Sequence, residues 1–254
     1  MNCTFFKKLP ACLLFACAAL VARGQNLQAD TDQRQVVFDN TISTYLTAAA
    51  GDDARLYSGA EYRFYDANIK GNAYYANVSD FAPGNIEYDG FTYKSVPVLY
   101  DVYKDLVVMQ LPHKSAGVSL VSKRVQSFDW VGHHFVYVDT DTLAKGKGIN
   151  AGFYDELYNG KCQILARHSK SIVNLSDSNP SVQAYFSVKK EIFIKKGGTY
   201  TNVNSQGDLL EVFKDKKKEL MQYISNNQIK FKGDPEQAIL KITAYYESLA
   251  VKGI

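Results

Sequence analysis

The sequence predicts an α+β protein: a mainly antiparallel β-sheet of successive hairpins, as a curved sheet or partial barrel, followed by two C-terminal amphipathic helices. Three observations lead there. Across residues 56–203, short runs of Tyr, Phe, Val and Ile are broken by Gly, Asn and Asp, the pattern of antiparallel strands. Dipeptides such as Asp89-Gly90 and Asn159-Gly160 stand between those runs as two-residue turns. After Val203 the apolar period changes from two residues to 3.6.

The chain begins MNCTFFKKLPACLLFACAALVARGQ, with Lys7 and Lys8, an apolar run over residues 9–22, and Ala22 and Gly24 ahead of a cut. That is the build of a secretory signal peptide, so residues 1–24 are set apart from the fold. Acylation at Cys17 is the alternative, disfavoured by bulky Phe15 and the short apolar run before it. No other segment approaches the ~20 apolar residues of a membrane helix, so no integral span is expected. Of 29 Lys+Arg and 26 Asp+Glu, Lys7, Lys8 and Arg23 fall in the signal and no acid does, leaving 26 of each. A balanced mature charge gives no reason to expect nucleic acid or anionic membrane as a partner. Cys162 is the only cysteine after residue 24, so no intrachain disulfide is expected and stability rests on packing.

Residues 25–55 read as an N-terminal segment with a helix near residues 30–50, from the spacing of Val36, Val37, Ile42, Tyr45 and Leu46. The β region spans residues 56–204. In GNIEYDGFTYK a type I′ turn at Asp89-Gly90 pairs Tyr88 with Phe91 and Ile86 with Tyr93 on one face. Asn85, Glu87, Thr92 and Lys94 then share the other. A second hairpin, turning at Lys104-Asp105, is apolar on both faces and therefore more central. A third turns at Asn159-Gly160 and a fourth at Gly197-Gly198, with two strands around Val131-Gly132 between. Residues 205–254 supply the helices: Ser205 to Asp208 cap one bearing Leu209, Leu210, Phe213, Leu220, Tyr223 and Ile224. Asp234-Pro235 opens another with Ala238, Ile239, Ile242, Tyr245, Tyr246 and Leu249 inward. Such helices must dock on the sheet or on each other.

The sequence lacks G-x-S-x-G, H-E-x-x-H, paired C-x-x-C and D-x-D-x-D-G. No catalytic residue, metal ligand or cofactor is assigned. Of the histidines, His113, His133, His134 and His168, the adjacent pair points to opposite faces of a strand and does not share a metal; a structural place beside the Val131-Gly132 turn is expected. Cys162 and His168 share a face but lie about 20 Å apart along a strand, too far for a thiol dyad. An inert Cys162 beside Leu157 and Ile164 is expected. GKGINAG reads as a loop, KDKKKE as a solvated helix face, and the many tyrosines as ordinary sheet residues. Asp155 breaks its pattern: it falls on the face of Phe153, Leu157, Cys162, Ile164 and Ala166. An unpaired charge there costs several kcal/mol, on the order of the desolvation penalty. Asp155 therefore needs a partner, or binds a ligand; it is the one candidate ligand-binding residue.

The stretches LYSGAEY, GNIEYDGFTYKSVPVLYDVYKDLVV, GFYDELYNGKCQILARHSKSI, VFKDKKKELMQYISNNQIKF and AILKITAYYESL together resemble a family of exported, β-rich proteins of unknown function from Bacteroidota. The resemblance implies a Gram-negative envelope setting, periplasmic or outer-membrane associated, and transfers no functional residue. The function expected is a non-enzymatic binding or assembly module, taking a small apolar ligand or another envelope protein. A hydrolase with a carboxylate site, built from residues such as Asp101 and Asp155, and a structural scaffold are the alternatives.

Overall fold

The computed structural model describes residues 34–39, 41–42, 51–65, 68–111, 116–140, 148–175 and 183–251. The chain divides between Ala54 and Arg55. In the first unit residues 34–39 and 41–42 are helical, within the expected helix. The rest of that helix, the signal segment and His113 lie outside the described residues.

The second unit holds one twelve-stranded sheet. Its strands are β1 (Ala60–Tyr62), β2 (Ile69–Lys70), β3 (Ala82–Tyr88), β4 (Phe91–Asp101), β5 (Leu106–Gln110) and β6 (Gly117–Ser119), then β7 (Val125–Trp130), β8 (His133–Val138), β9 (Gly152–Asn159), β10 (Gln163–Asn174), β11 (Ala184–Lys196) and β12 (Thr199–Asn202). The spatial order is β1-β6-β5-β4-β3-β7-β8-β9-β10-β11-β12, with β2 beside β11. Only the β2–β11 pairing is parallel, and the path ends at β1 and β12 without closing. Among the described residues no helix is long and apolar enough to cross a membrane.

Three turns sit where the dipeptides place them. Asp89 and Gly90 both have positive φ, at 53° and 81°, and Ile86 pairs with Tyr93 and Tyr88 with Phe91. Ile86, Tyr88 and Tyr93 are buried, while Asn85, Glu87, Thr92 and Lys94 are exposed. Val131-Gly132 and Gly197-Gly198 likewise adopt positive φ and join strands paired through Trp130 with His133 and Lys196 with Thr199.

Two turns differ from expectation. Lys104-Asp105 is not the turn: Asp101 pairs with Leu106, so the loop is residues 102–105. The Asp101 carboxylate accepts from the Tyr103 and Lys104 amides and fixes this wider loop. The slip is two residues, so Val98, Tyr100, Val107 and Met109 keep their face. Nor is Asn159-Gly160 the turn: Asn159 pairs with Gln163, leaving residues 160–162 as the loop. Glu247, 85 residues away, accepts from the Cys162 amide at 2.6 Å and draws the turn outward. A bulge between Ile164 and Leu165 takes back one residue, so Asp155 lies opposite Ala166.

The first C-terminal helix is divided into α1 (Gln206–Val212) and α2 (Lys217–Asn226), and the second is α3 (Pro235–Val251). Ser205 and Asp208 form a capping box on α1, and Asp234 caps α3 through the Gln237 amide. The break follows from Lys196, whose ammonium donates to the Val212 carbonyl and to Asp215. All three helices bury their apolar stripe on one face of the last strands: Leu209, Leu210, Phe213, Leu220, Ile224, Ile239, Ile242 and Tyr246 pack with Cys162, Ile164, Ala166, Ile192 and Ile194. Each large apolar side chain buried this way contributes about 1.5–3 kcal/mol. On the opposite face of the same strands Tyr154, Leu165, Phe193 and Tyr200 form a second cluster.

Candidate functional site

Asp155 sits in the middle of β9, between Phe135 on β8 and Ala166 on β10, and is 3% exposed. Strand alternation then determines what else reaches its side of the sheet. His133 is two residues before Phe135 and His168 two residues after Ala166, so both share its face. The Val131-Gly132 turn delivers His133, whose Nδ1 lies 2.8 Å from Asp155 Oδ2. The His133 side chain is 40% exposed. His168 Nε2 lies 3.8 Å from the same oxygen, beyond hydrogen-bond reach, and is buried without a partner among the described residues.

The roof over this group is Tyr75, carried by the 3-10 turn Tyr75–Asn77. Its hydroxyl donates to Asp155 Oδ2 at 3.4 Å. Its ring meets His168, Phe135 and His133 edge-on, with centroids 4.8, 5.0 and 5.1 Å away, and lies within 6.3 Å of Tyr100 and Trp130. Burial, then the charges of Asp155 and Glu236, push the Tyr75 hydroxyl well above the ordinary tyrosine value. Glu236 stands in the first turn of α3, bridged to Lys190, and Lys190 is the register partner of His168. The rim of the site is thus His133, His168, Lys190 and Glu236.

The loop carrying Tyr75 is strained and firmly held. Ala76 and Asn77 have φ of 48° and 58°, a left-handed backbone that a residue with a Cβ adopts at a cost of about 1 kcal/mol each. Lys170, on β10, reaches in and donates to the Asn72 carbonyl and side chain, the Tyr74 carbonyl and the Asn77 side chain, at 2.6 to 3.2 Å. All four acceptors are neutral oxygens, and burial lowers the Lys170 pKa. Val102 N–H donates to Ala73, and Tyr74 bridges to Asp101, fastening the segment from the other side.

The chemistry of the centre follows from its donors and acceptors. An ionised carboxylate only accepts, so this contact places a proton on His133 Nδ1, and in the neutral ring Nε2 then carries the lone pair. The His133 side chain is 40% exposed, and its Nε2 makes no hydrogen bond among the described residues. Trp130 Nε1 is a second buried nitrogen without a partner there. The centre therefore combines one carboxylate, two imidazoles and a phenol, with hydrogen-bonding capacity left over.

Asp101, the other carboxylate considered from sequence, is held differently. It is fully buried; Tyr62 and Tyr65 hydroxyls donate to one oxygen at 2.7 and 2.6 Å, and the Tyr103 and Lys104 amides to the other at 2.9 Å. The Lys104 ammonium lies over the rings of Tyr62 and Tyr65. No hydrogen-bond partner of Asp101 is shared with Asp155.

Asp155 is thus placed among partners, as its position on an apolar face requires. His133 stands directly after the Val131-Gly132 turn, as expected, and is the partner. His134, on the opposite face as expected, pairs with Asp129 at the surface. Cys162 is buried within the helix-facing core, and burial pushes its thiol up. Among the described residues no group of three or more His, Cys, Asp and Glu is arranged to hold a metal ion. Compared with known proteins, the chain matches no family model, no curated protein and no solved structure.

Proposed function

We propose that this is an exported protein of the cell envelope that binds a small molecule at the mouth formed by Asp155, His133, His168 and Tyr75. Export is supported by the apolar run over residues 9–22 behind Lys7 and Lys8, and the envelope setting by the resemblance described above. The observation that carries the binding reading is the contact of half-exposed His133 with buried Asp155, beside a His168 nitrogen that has no partner among the described residues. Buried polar atoms are satisfied in nearly all folded proteins, so such a nitrogen beside a solvent-reached imidazole marks a place where a ligand or ordered water completes the set. The ligand this suits carries hydrogen-bonding atoms as well as the apolar surface expected from sequence.

A second reading, assembly with another envelope protein, also has an observation. Residues 186–191 of β11, between its pairings with β2 and β12, have no strand partner on that side among the described residues, and Val188 is 64% exposed. Lys189 and Lys190 lie in that gap and oppose edge pairing, so ligand binding stands first. The test is native mass spectrometry of the mature protein purified from its own envelope, with extraction of bound small molecules. A stoichiometric small molecule, absent from Asp155→Asn, is expected. A bare protein that carries along a second protein would replace the binding reading by the assembly one.

A further inference from the structure

We infer that Asp155 and His133 form an acid–base dyad that activates water against a neutral carboxylic ester bound at this mouth. The inference rests on the binding reading above and adds a reaction to it. Asp155 Oδ2, at 2.8 Å, is placed to accept from His133 Nδ1–H, which in the neutral ring leaves Nε2 free to accept a proton. The His133 side chain is 40% exposed, so water has access to it. Tyr75 packs edge-on against the ring and holds its orientation.

The step balances without a redox partner. His133 Nε2 takes a proton from water as the water oxygen bonds to the ester carbonyl carbon. The carbonyl oxygen gains the electron pair. The tetrahedral centre then collapses, the bond to the alkoxy oxygen breaks, and the imidazolium returns its proton to that oxygen. Acid and alcohol leave. His133 is the catalytic residue and Asp155 a positioning residue. A neutral substrate suits the site, because the buried Asp155 carboxylate beside His133 disfavours a second anion such as a phosphate, and the nearby cation Lys190 is already bridged to Glu236.

The experiment is hydrolysis of p-nitrophenyl acetate by the full mature chain, compared with His133→Gln, Asp155→Asn and His134→Gln. His133 is half-exposed and Gln keeps an N–H donor for Asp155, so the fold is expected to hold, which circular dichroism verifies. Expected are at least a 100-fold loss of kcat/KM in His133→Gln, a smaller loss with raised KM and a displaced pH–rate profile in Asp155→Asn, and wild-type turnover in His134→Gln. Turnover equal in wild type and His133→Gln would overturn the dyad. If native mass spectrometry still finds a small molecule in that case, the binding reading survives alone. Turnover that depends on His133 in a protein that retains no small molecule would uphold the dyad and remove the carrier role.

Discussion

Two carboxylates are buried on the same sheet, and they are treated in opposite ways. Asp101 receives four donors at 2.6 to 2.9 Å, two to each oxygen, from side chains and amides within 39 residues of it. Asp155 shares one oxygen among one short contact, to a half-exposed imidazole, one long one at 3.4 Å, and one nitrogen out of reach at 3.8 Å. The first is a saturated joint that fixes a loop. The second is a carboxylate whose main partner faces solvent, an arrangement that gives little rigidity and leaves chemistry available. Burial alone does not distinguish the two acids; the state of their partners does.

Removing the saturated joint has the largest expected effect. Asp101→Ala strands two phenols and two amides, and at about 1–3 kcal/mol for each buried donor left unpaired the loss exceeds about 4 kcal/mol, read from the urea midpoint. Lys170→Met comes next, because it strips the ammonium from four neutral oxygens that hold the Tyr75 loop. A loss of about 2–3 kcal/mol is expected, together with greater amide exchange across residues 72–77.

Alkaline pH distinguishes the two sites by phenol count. Burial, then Asp101, raises the Tyr62 and Tyr65 pKa values, whereas at Asp155 only Tyr75 is raised in this way. A raised folded pKa means stability present below the unfolded tyrosine value of about 10 and lost as pH climbs through the folded one. By pH 11 the expected loss is about 1 kcal/mol per phenol after allowing for partial solvation, read by unfolding followed at the tyrosinate absorbance. Tyr62→Phe and Tyr65→Phe together flatten that slope more than Tyr75→Phe does. The smallest effect belongs to His133→Gln, which loses about 0.5–1 kcal/mol because the ring is half-exposed and the Gln amide still offers Asp155 an N–H donor.

Much of the fold was legible because its signals are local. Asp89-Gly90 and Gly197-Gly198 sit at two-residue turns whose positive φ these residues accept, Val131-Gly132 sits at a third that Gly132 accepts and β-branched Val131 adopts under strain, and Ser205, Asp208 and Asp234 cap the helices they announce. The shifted turns show where local reading stops. At residues 102–105 an aspartate side chain competes for the amides of its own loop. At residues 160–162 the deciding group is Glu247, which no window around Asn159-Gly160 contains. The helix break at Phe213 likewise depends on Lys196 from the sheet.

The site was half legible for the same reason. Asp155 stood out because a charge interrupted an apolar alternation. Its partners are 22 and 80 residues away in sequence, on β8 and on a strained turn before β3. His133 was recognisable only once the register of β8 on β9 was known, and Tyr75 carried no pattern that distinguished it among many tyrosines.

The contrast between the two carboxylates is tested most directly by urea unfolding of Asp101→Asn and Asp155→Asn side by side. Asp101→Asn turns two accepting positions into donors against groups that already donate, so it is expected to lose several times more stability than Asp155→Asn, which loses about 1 kcal/mol. Equal losses, or a larger one at Asp155, would make Asp155 the structural acid and contradict the account.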